Sequence, residues 1–304
     1  HLKSDTHLMT IPDNDPIVAV PMVTPFGETD QVDFDAAQRN AERWCKTANS
    51  VFIVGSQSGE EFMLSEPERV DLLRCVTEAL DGDRITAGGI DAPSVVETLR
   101  QAERHAEAGA EMVRLRFPRI ESEVLPYFQQ VLPRCPVPVL LMHQSNPASF
   151  GIAAKPAGPP ELLGEIASMD GVYGYVTDHD MRFEARVRRF VPQDKRFWIC
   201  NGSMILSGTL IGCNGTTTAF SNIWPDALKQ LLDHGMAGNY AAGEAVQEQI
   251  RKIDEIMLPY LATGIKTCLS LMGFEGMRPR QPSQPMAAED VRRLRVEMEL
   301  AGLI

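Results

Sequence analysis

The chain has 304 residues, enough for one large α/β domain or two smaller ones, and at that size about 75% of the unfolded surface can be buried. Its 44% hydrophobic and 23% charged content is ordinary for a globular protein, and no apolar run approaches the ~20 residues of a membrane span. A net charge of -12, from 29 Lys plus Arg against 41 Asp plus Glu, argues against a nucleic-acid or anionic-membrane surface, although local arginines can still form an anion pocket.

Residues 1–15 are polar and lack periodicity, with no signal-peptide apolar core, and are set apart as a flexible tail. Six scattered cysteines without a C-x-x-C pair fit reduced thiols in a cytoplasmic protein better than a disulfide framework or zinc site. The first apolar run, Ile17-Val-Ala-Val20, reads as a strand, and 33–46 has helical spacing through Phe34, Ala37, Ala41 and Trp44. Val51-Phe-Ile-Val54 is the second strand. The helix after it opens with Ser65 as N-cap, Pro67 in the first turn and Glu68 at the capping-box position.

Ile85-Thr-Ala-Gly-Gly-Ile90 is a third strand, followed by a helix over 94–108 that Gly109 stops. Strand four spans 111–117 and a helix 122–132. Strand five, Val137-Pro-Val-Leu-Leu-Met142, is continuously apolar, as suits a strand covered on both faces. A Pro/Gly-rich loop over 146–160 and a helix over 161–168 lead to Gly171-Val-Tyr-Gly-Tyr-Val-Thr-Asp-His-Asp180, the sixth strand and its polar exit. Strand seven is 196–200 and strand eight 213–218, with helices over 181–190 and 204–211. Alternation of this kind favours a closed α/β (β/α)8 TIM barrel over 16–236. The strand signals then stop, and 237–304 reads as a helical extension.

Several of these landmarks, in order and spacing, resemble the dihydrodipicolinate synthase and N-acetylneuraminate lyase family. They are Val23-Thr-Pro-Phe26; Gly59-Glu60 with Leu64, Ser65 and Glu68; Ala108-Gly-Ala-Glu111; Gly212-Cys-Asn-Gly215; Ser221-Asn-Ile-Trp-Pro225; and Ile265-Lys266 with Gly273 and Arg278-Pro279. The resemblance implies a class I aldolase-type barrel in which a strand-six lysine attacks a 2-oxo acid, its imine stabilising the neighbouring carbanion. Aligned on Gly174, the lysine position holds Val176. The family's strand-five Tyr-Asn pair falls on Met142 and His143, and its following arginine falls near Ser149. After strand four Pro118 precedes Arg119 and Ile120 rather than tyrosine. Gln57 and Ser58 replace the paired threonines. Schiff-base chemistry is therefore not expected. Lys155 and Lys266 are the weak substitutes, neither lying at the C-terminal end of a predicted barrel strand.

The residues offer other chemistry at that rim. Arg114 and Arg116 share one strand face, with Arg119 just beyond; the readings are an anion clamp using Arg116 or Arg119 or, alternatively, surface arginines paired with acids. His143 with Asp178, His179 and Asp180 has three open readings: a general acid-base pair, a divalent-metal site, or a satisfied polar loop in which the aspartates cap the next helix. The turn Ser56-Gln-Ser-Gly-Glu60 can cradle a carboxylate, with Gln57, Ser58 and Gly59 as binding candidates, and Asn201 sits at the strand-seven rim. Thr24 lines the pocket base as its family counterpart does, or is a buried hydroxyl bonded to backbone.

The expectation is a lyase-family protein that binds a small oxo- or hydroxy-acid at the barrel top. His143, Asp178 and His179 are its catalytic candidates, and Thr24, Gln57, Ser58, Gly59, Arg116 and Asn201 its binding candidates. The alternatives are a non-catalytic binding or partner subunit and a metal-assisted aldolase or hydratase. No cofactor is expected outside the metal alternative, and no nucleic-acid or membrane partner. The resemblance implies a homo-oligomer, tetramer or dimer.

Overall fold

Eight short strands, almost wholly buried, run parallel and close on one another in sequence order. The computed structural model describes residues 15–91, 94–144 and 155–304. The strands are β1 (Ile17–Pro21), β2 (Asn49–Val54), β3 (Ile85–Ile90), β4 (Met112–Arg116), β5 (Val139–Gln144), β6 (Val172–Asp178), β7 (Arg196–Ile199) and β8 (Gly215–Thr217). Around them stand α1 (Phe34–Cys45), α2 (Glu66–Leu80), α3 (Val95–Glu107), α4 (Glu121–Val131), α5 (Pro160–Ala167), α6 (Met181–Val187) and α7 (Ile205–Leu210). The short α8 (Phe220–Ile223) and then α9 (Pro225–Met236), α10 (Tyr240–Met257), α11 (Ala262–Leu271) and α12 (Ala288–Leu300) complete the chain. This is a (β/α)8 barrel with C-terminal helices. No helix among the described residues is long and apolar enough to cross a membrane.

Local chemistry sets the helix starts. Ser65 accepts from the Glu68 N–H while the Glu68 carboxylate accepts from the Ser65 N–H, the capping box expected from the sequence. Asp33 and Ser94 cap α1 and α3 by accepting the Ala36 and Glu97 N–H groups. α8 has no cap and only one turn, which is why periodicity does not reveal it. Pro225 then occupies the first turn of α9, where its missing N–H costs nothing.

Two hydrophobic populations alternate along each strand. Val18, Val20, Leu141 and Tyr175 point outward and pack under the helices. Ile17, Ala19, Val51, Ile53, Ala87, Leu140, Met142, Val176 and Trp198 point inward and fill the barrel. Register places Met142, Val176 and Trp198 side by side across β5, β6 and β7. Trp198 fits because β8 opposes it with Gly215, where a Cβ would lie 2.5 Å from the indole. Above this layer the inward residues turn polar: Arg116 on β4, Gln144 on β5 and Asp178 on β6.

Candidate active site

The polar layer is the floor of a cavity at the C-terminal ends of the strands. Its outer part, about 380 Å³, is bounded by Gln57 and Ser58 after β2, Gln144, Asp178, Cys200 to Gly202 after β7, and Thr218 and Ala219 after β8. The C-terminal helices form the remaining wall, with Asp254, Met257 and Leu258 at the end of α10 and Leu261, Ala262 and Ile265 at α11. A narrower chamber of about 70 Å³ shares Gln57, Ser58, Gln144 and Cys200 with it and adds Ser56, Arg114, Arg116, Met142 and Thr217. The rim is therefore polar on the barrel side and, Asp254 apart, apolar on the helical side.

Beneath the mouth lies an ion-paired cluster. Arg114 Nη2 donates to Glu61 Oε2 at 2.8 Å and to the Gly55 carbonyl at 2.6 Å, and Arg116 Nη2 donates to Glu61 Oε1. All three side chains are buried. Arg114 finds room because Gly89 approaches Gly55 with no side chain; a Cβ at Gly89 would lie 1.6 Å from the Gly55 oxygen. Burial alone would push the Glu61 carboxyl up, but the charges of Arg114 and Arg116 outweigh it and hold the group below its ordinary value. The pair thus faces into the barrel, where the sequence had left an anion clamp and surface pairing both open. Arg119, by contrast, ion-pairs with Asp91 at 2.5 Å near the surface.

From this cluster an amide relay climbs to the mouth. Arg116 Nε donates to Gln144 Oε1 at 2.6 Å, and Gln144 Nε2 donates to Gln57 Oε1 at 2.7 Å. Asp178 lines the same cavity, and burial raises its carboxyl to about 7; Glu184 adds to the rise and Arg116 opposes it. Across the cavity burial also raises Asp254, whose Oδ2 accepts from the Ser203 hydroxyl at 2.6 Å. The Cys200 thiol is pushed well up by burial and stays protonated near neutrality.

The two histidines do not join this cavity, a correction to the convergence read from the strand ends. Because Met142 and Gln144 face inward, His143 faces outward. It is buried between the barrel wall and α6: Nδ1 meets Glu184 Oε1 at 2.6 Å, Nε2 accepts the Ala157 N–H at 3.1 Å, and Tyr175 donates to the other Glu184 oxygen at 3.0 Å. His179 stacks on His143 with centroids 5.2 Å apart, and its Nδ1 accepts the Asp180 N–H. Asp180 is the N-cap of α6, so of the Asp-His-Asp run Asp178 alone lines the cavity. Among the described residues no three His, Cys, Asp or Glu side chains gather as a metal-ligand set.

The remaining candidates divide. Gln57, Ser58, Arg116 and Asn201 line the cavity or its inner chamber. Thr24 is a buried hydroxyl donating to the Gly59 carbonyl at 2.6 Å, and Gly59 itself packs under Met22, where a Cβ would lie 2.5 Å from the Met22 oxygen. Neither lines the cavity. Val176 is wholly buried one inward step below Asp178. Of the six lysines among the described residues, none lines the cavity. Lys155 is exposed. Lys266 is buried against Glu60, donates to the Arg278 carbonyl at 2.9 Å and lies 4.2 Å from the Phe26 ring centre. Burial lowers it to about 8, with Glu60 opposing, and it ties α11 to the loop after β2. Ser149 lies outside the described residues.

Glu61 and Asp254 were not foreseen. The signal for Glu61 is slight, the second acid of Gly59-Glu-Glu61 at the start of a one-turn 3-10 helix, Glu61–Met63. Asp254 carries none, since its Ser203 partner lies 51 residues away on another element.

The model of the Dihydrodipicolinate synthetase family matches residues 16–301. A 4-hydroxy-tetrahydrodipicolinate synthase of an Exiguobacterium species is 25% identical over 288 residues, covering 93% of this chain and 96% of that one. The corresponding synthase of Archaeoglobus fulgidus is 24% identical over 291 residues, covering 93% and 97%. Among solved structures, dihydrodipicolinate synthase from Cyanidioschyzon merolae with lysine bound superposes with a TM-score of 0.85 at 21% identity, covering 96% of this chain and 99% of that one. A prophage protein of the dihydrodipicolinic acid synthase family from E. coli K12, in complex with pyruvate, gives 0.83 at 19% identity, covering 95% and 99%. With the family model spanning almost the whole closed barrel and its C-terminal helices, the chain belongs to the dihydrodipicolinate synthetase family.

Proposed function

We propose that this protein is a lyase-type enzyme that binds a small oxo- or hydroxy-acid in the barrel mouth and works on it by carboxyl acid-base chemistry, without an enzyme imine. The observation that carries the reading is Asp178, a carboxyl lining the cavity with its titration raised to about 7, two residues beyond Val176 on the same inward face. A group titrating near the working pH both accepts and returns a proton efficiently. Beside it the Gln57 and Gln144 amides, joined to Arg116, line the cavity and can donate to negative charge developing on an enolate-like oxygen.

Sequence alignment supports the absence of the imine, since Val176 stands where the family's lysine is expected. The geometry supports it too: Lys266, the buried lysine, is committed to Glu60. The outward placement of His143, which is buried, and of His179, which is half-buried, moves the acid-base role to Asp178. Similarity to proteins named as synthases supports a small-acid ligand, at identities near 25% that leave the specific substrate open to assay.

Incubation with pyruvate and borohydride, read by intact mass, tests the imine; a covalent adduct would overturn the proposal. An oxo- and hydroxy-acid panel assayed with wild type and Asp178→Asn then tests the chemistry. Turnover that falls by at least a hundredfold in the variant, with retained ligand binding, supports it. Equal turnover in the two proteins sinks the acid-base role, and ligand binding without turnover in wild type assigns the chain to the non-catalytic alternative.

A further inference from the structure

The helical wall of the mouth carries a single ionisable group. Asp254, Met257 and Leu258 share one face at the end of α10, and with Leu261, Ala262 and Ile265 they form that side of the outer cavity. Asp254 is half-buried, and its Oδ2 accepts from the Ser203 hydroxyl at 2.6 Å. A hydroxyl has one proton to give, so the second oxygen, Oδ1, depends on another donor. Among the described residues none supplies it, and Oδ1 is not one of the side-chain oxygens sealed from solvent without a partner. Burial raises the carboxyl, the Ser203 hydroxyl opposes, and the one neighbouring charge that acts on it, Glu255, is also negative. Nor is the bond to Ser203 needed to hold the loop after β7. Gln247 Nε2 already donates to the Gly202 carbonyl at 2.8 Å, and Arg251 Nε to the Ser203 carbonyl at 3.1 Å. An acceptor left open in an otherwise apolar cavity wall, with no cation beside it, suits a hydrogen-bond donor on the ligand.

We infer that Asp254 is a specificity residue of this site: it takes a hydroxyl or ammonium group carried by the substrate at the end remote from Asp178. The inference rests on the small-acid reading above and specifies the far end of that acid. Asp178 stands on the strand side of the cavity and Asp254 on the helical side, so a ligand worked on at the first extends toward the second. The cavity, about 380 Å³, lies within the ~300–1,000 Å³ usual for ligand pockets, room for a chain that reaches both walls. Selection follows from what is lost without the donor. An apolar chain end displaces water from Oδ1 and returns no hydrogen bond, so the site rejects an analogue that lacks the group.

The test is calorimetric binding of hexanoate, 6-hydroxyhexanoate and 6-aminohexanoate, acids with the same carbon chain, to wild type and to Asp254→Leu. Wild type is expected to bind the hydroxy and amino acids about 10- to 100-fold more tightly than hexanoate, the worth of one hydrogen bond to a charged group, and Asp254→Leu to abolish that preference. A residue that only tethered the loop would weaken all three alike, so an unchanged preference in the folded variant overturns the inference. Hexanoate bound by wild type as tightly as the other two overturns it as well and leaves the small-acid reading standing. Wild type that binds none of the three also overturns it, and binding of the oxo- and hydroxy-acid panel then decides whether the small-acid reading falls with it. Should Asp254→Leu fail to fold, Asp254→Asn replaces it: the shape is kept and the charge removed, so the preference for 6-aminohexanoate should fall by about tenfold or more. A preference equal to that of wild type overturns the inference.

Discussion

Replacing Asp178 by asparagine should stabilise the protein at alkaline pH while removing its acid-base group. Asp178 titrates at about 7 in the folded chain against an ordinary 3.8, chiefly because burial disfavours the carboxylate. Between these two pH values the folded state holds more protons than the unfolded state, so stability falls as pH rises. The contribution of the group is thus fully present below about pH 4 and lost by about pH 7 to 8. At roughly 1.36 kcal/mol per pH unit the ceiling is about 4 kcal/mol, and solvent at the mouth reduces it because Asp178 is only partly buried. Asparagine keeps the shape of the protonated acid and does not titrate. Urea unfolding of both proteins at pH 5, 6, 7 and 8, at constant ionic strength, gives the difference directly. The variant should gain on wild type steadily across that series and be the more stable protein at pH 8. A difference that is flat with pH, or a variant less stable than wild type at pH 8, would refute the assignment of a raised carboxyl to this position.

Three further outcomes follow from the same packing. His143→Ala removes the partner of Glu184 and of the Ala157 N–H, so it should cost about 2–4 kcal/mol in urea unfolding yet change turnover by only a few-fold, because the ring does not reach the cavity. A hundredfold loss of turnover in a folded variant would restore the histidine to the mechanism. Lys266→Met should cost about 3–5 kcal/mol by leaving Glu60 unpaired, and adding Glu60→Gln should recover part of the loss, as a double-mutant cycle would show. Ser65→Ala, which deletes the capping box of α2, should cost about 1 kcal/mol with no change in ligand affinity.

Much of the barrel was legible because its signals are local. Apolar runs, the Ser65 cap and the glycines at helix ends identify strands and helices without knowledge of their neighbours, and strand alternation put Arg114 and Arg116 on a common face. The sense of that face was not legible. A strand covered on both sides, such as β5 with Val139-Leu-Leu-Met142, has no polar side to mark the exterior. His143 was therefore placed at the rim when it belongs under α6. The same parity divides Asp178 from its neighbour His179, the one inward and the other against the outer layer. Glu61 escaped notice for a different reason: Glu60 adopts a left-handed backbone, φ 56, and the turn it makes carries the next side chain back under the mouth.

Sequence by itself determined the eight-fold alternation, the family resemblance and the valine at position 176, since each depends on residue order alone. Closure of the barrel decided the rest. It set which residue of each strand faces inward, gathered Arg114, Glu61, Arg116 and Gln144 from separate elements, and brought Asp254 from α10 to face the mouth opposite the barrel strands. Those contacts join residues 28 to 55 positions apart or more, and their energies depend on burial, which is a property of the closed fold and not of any segment.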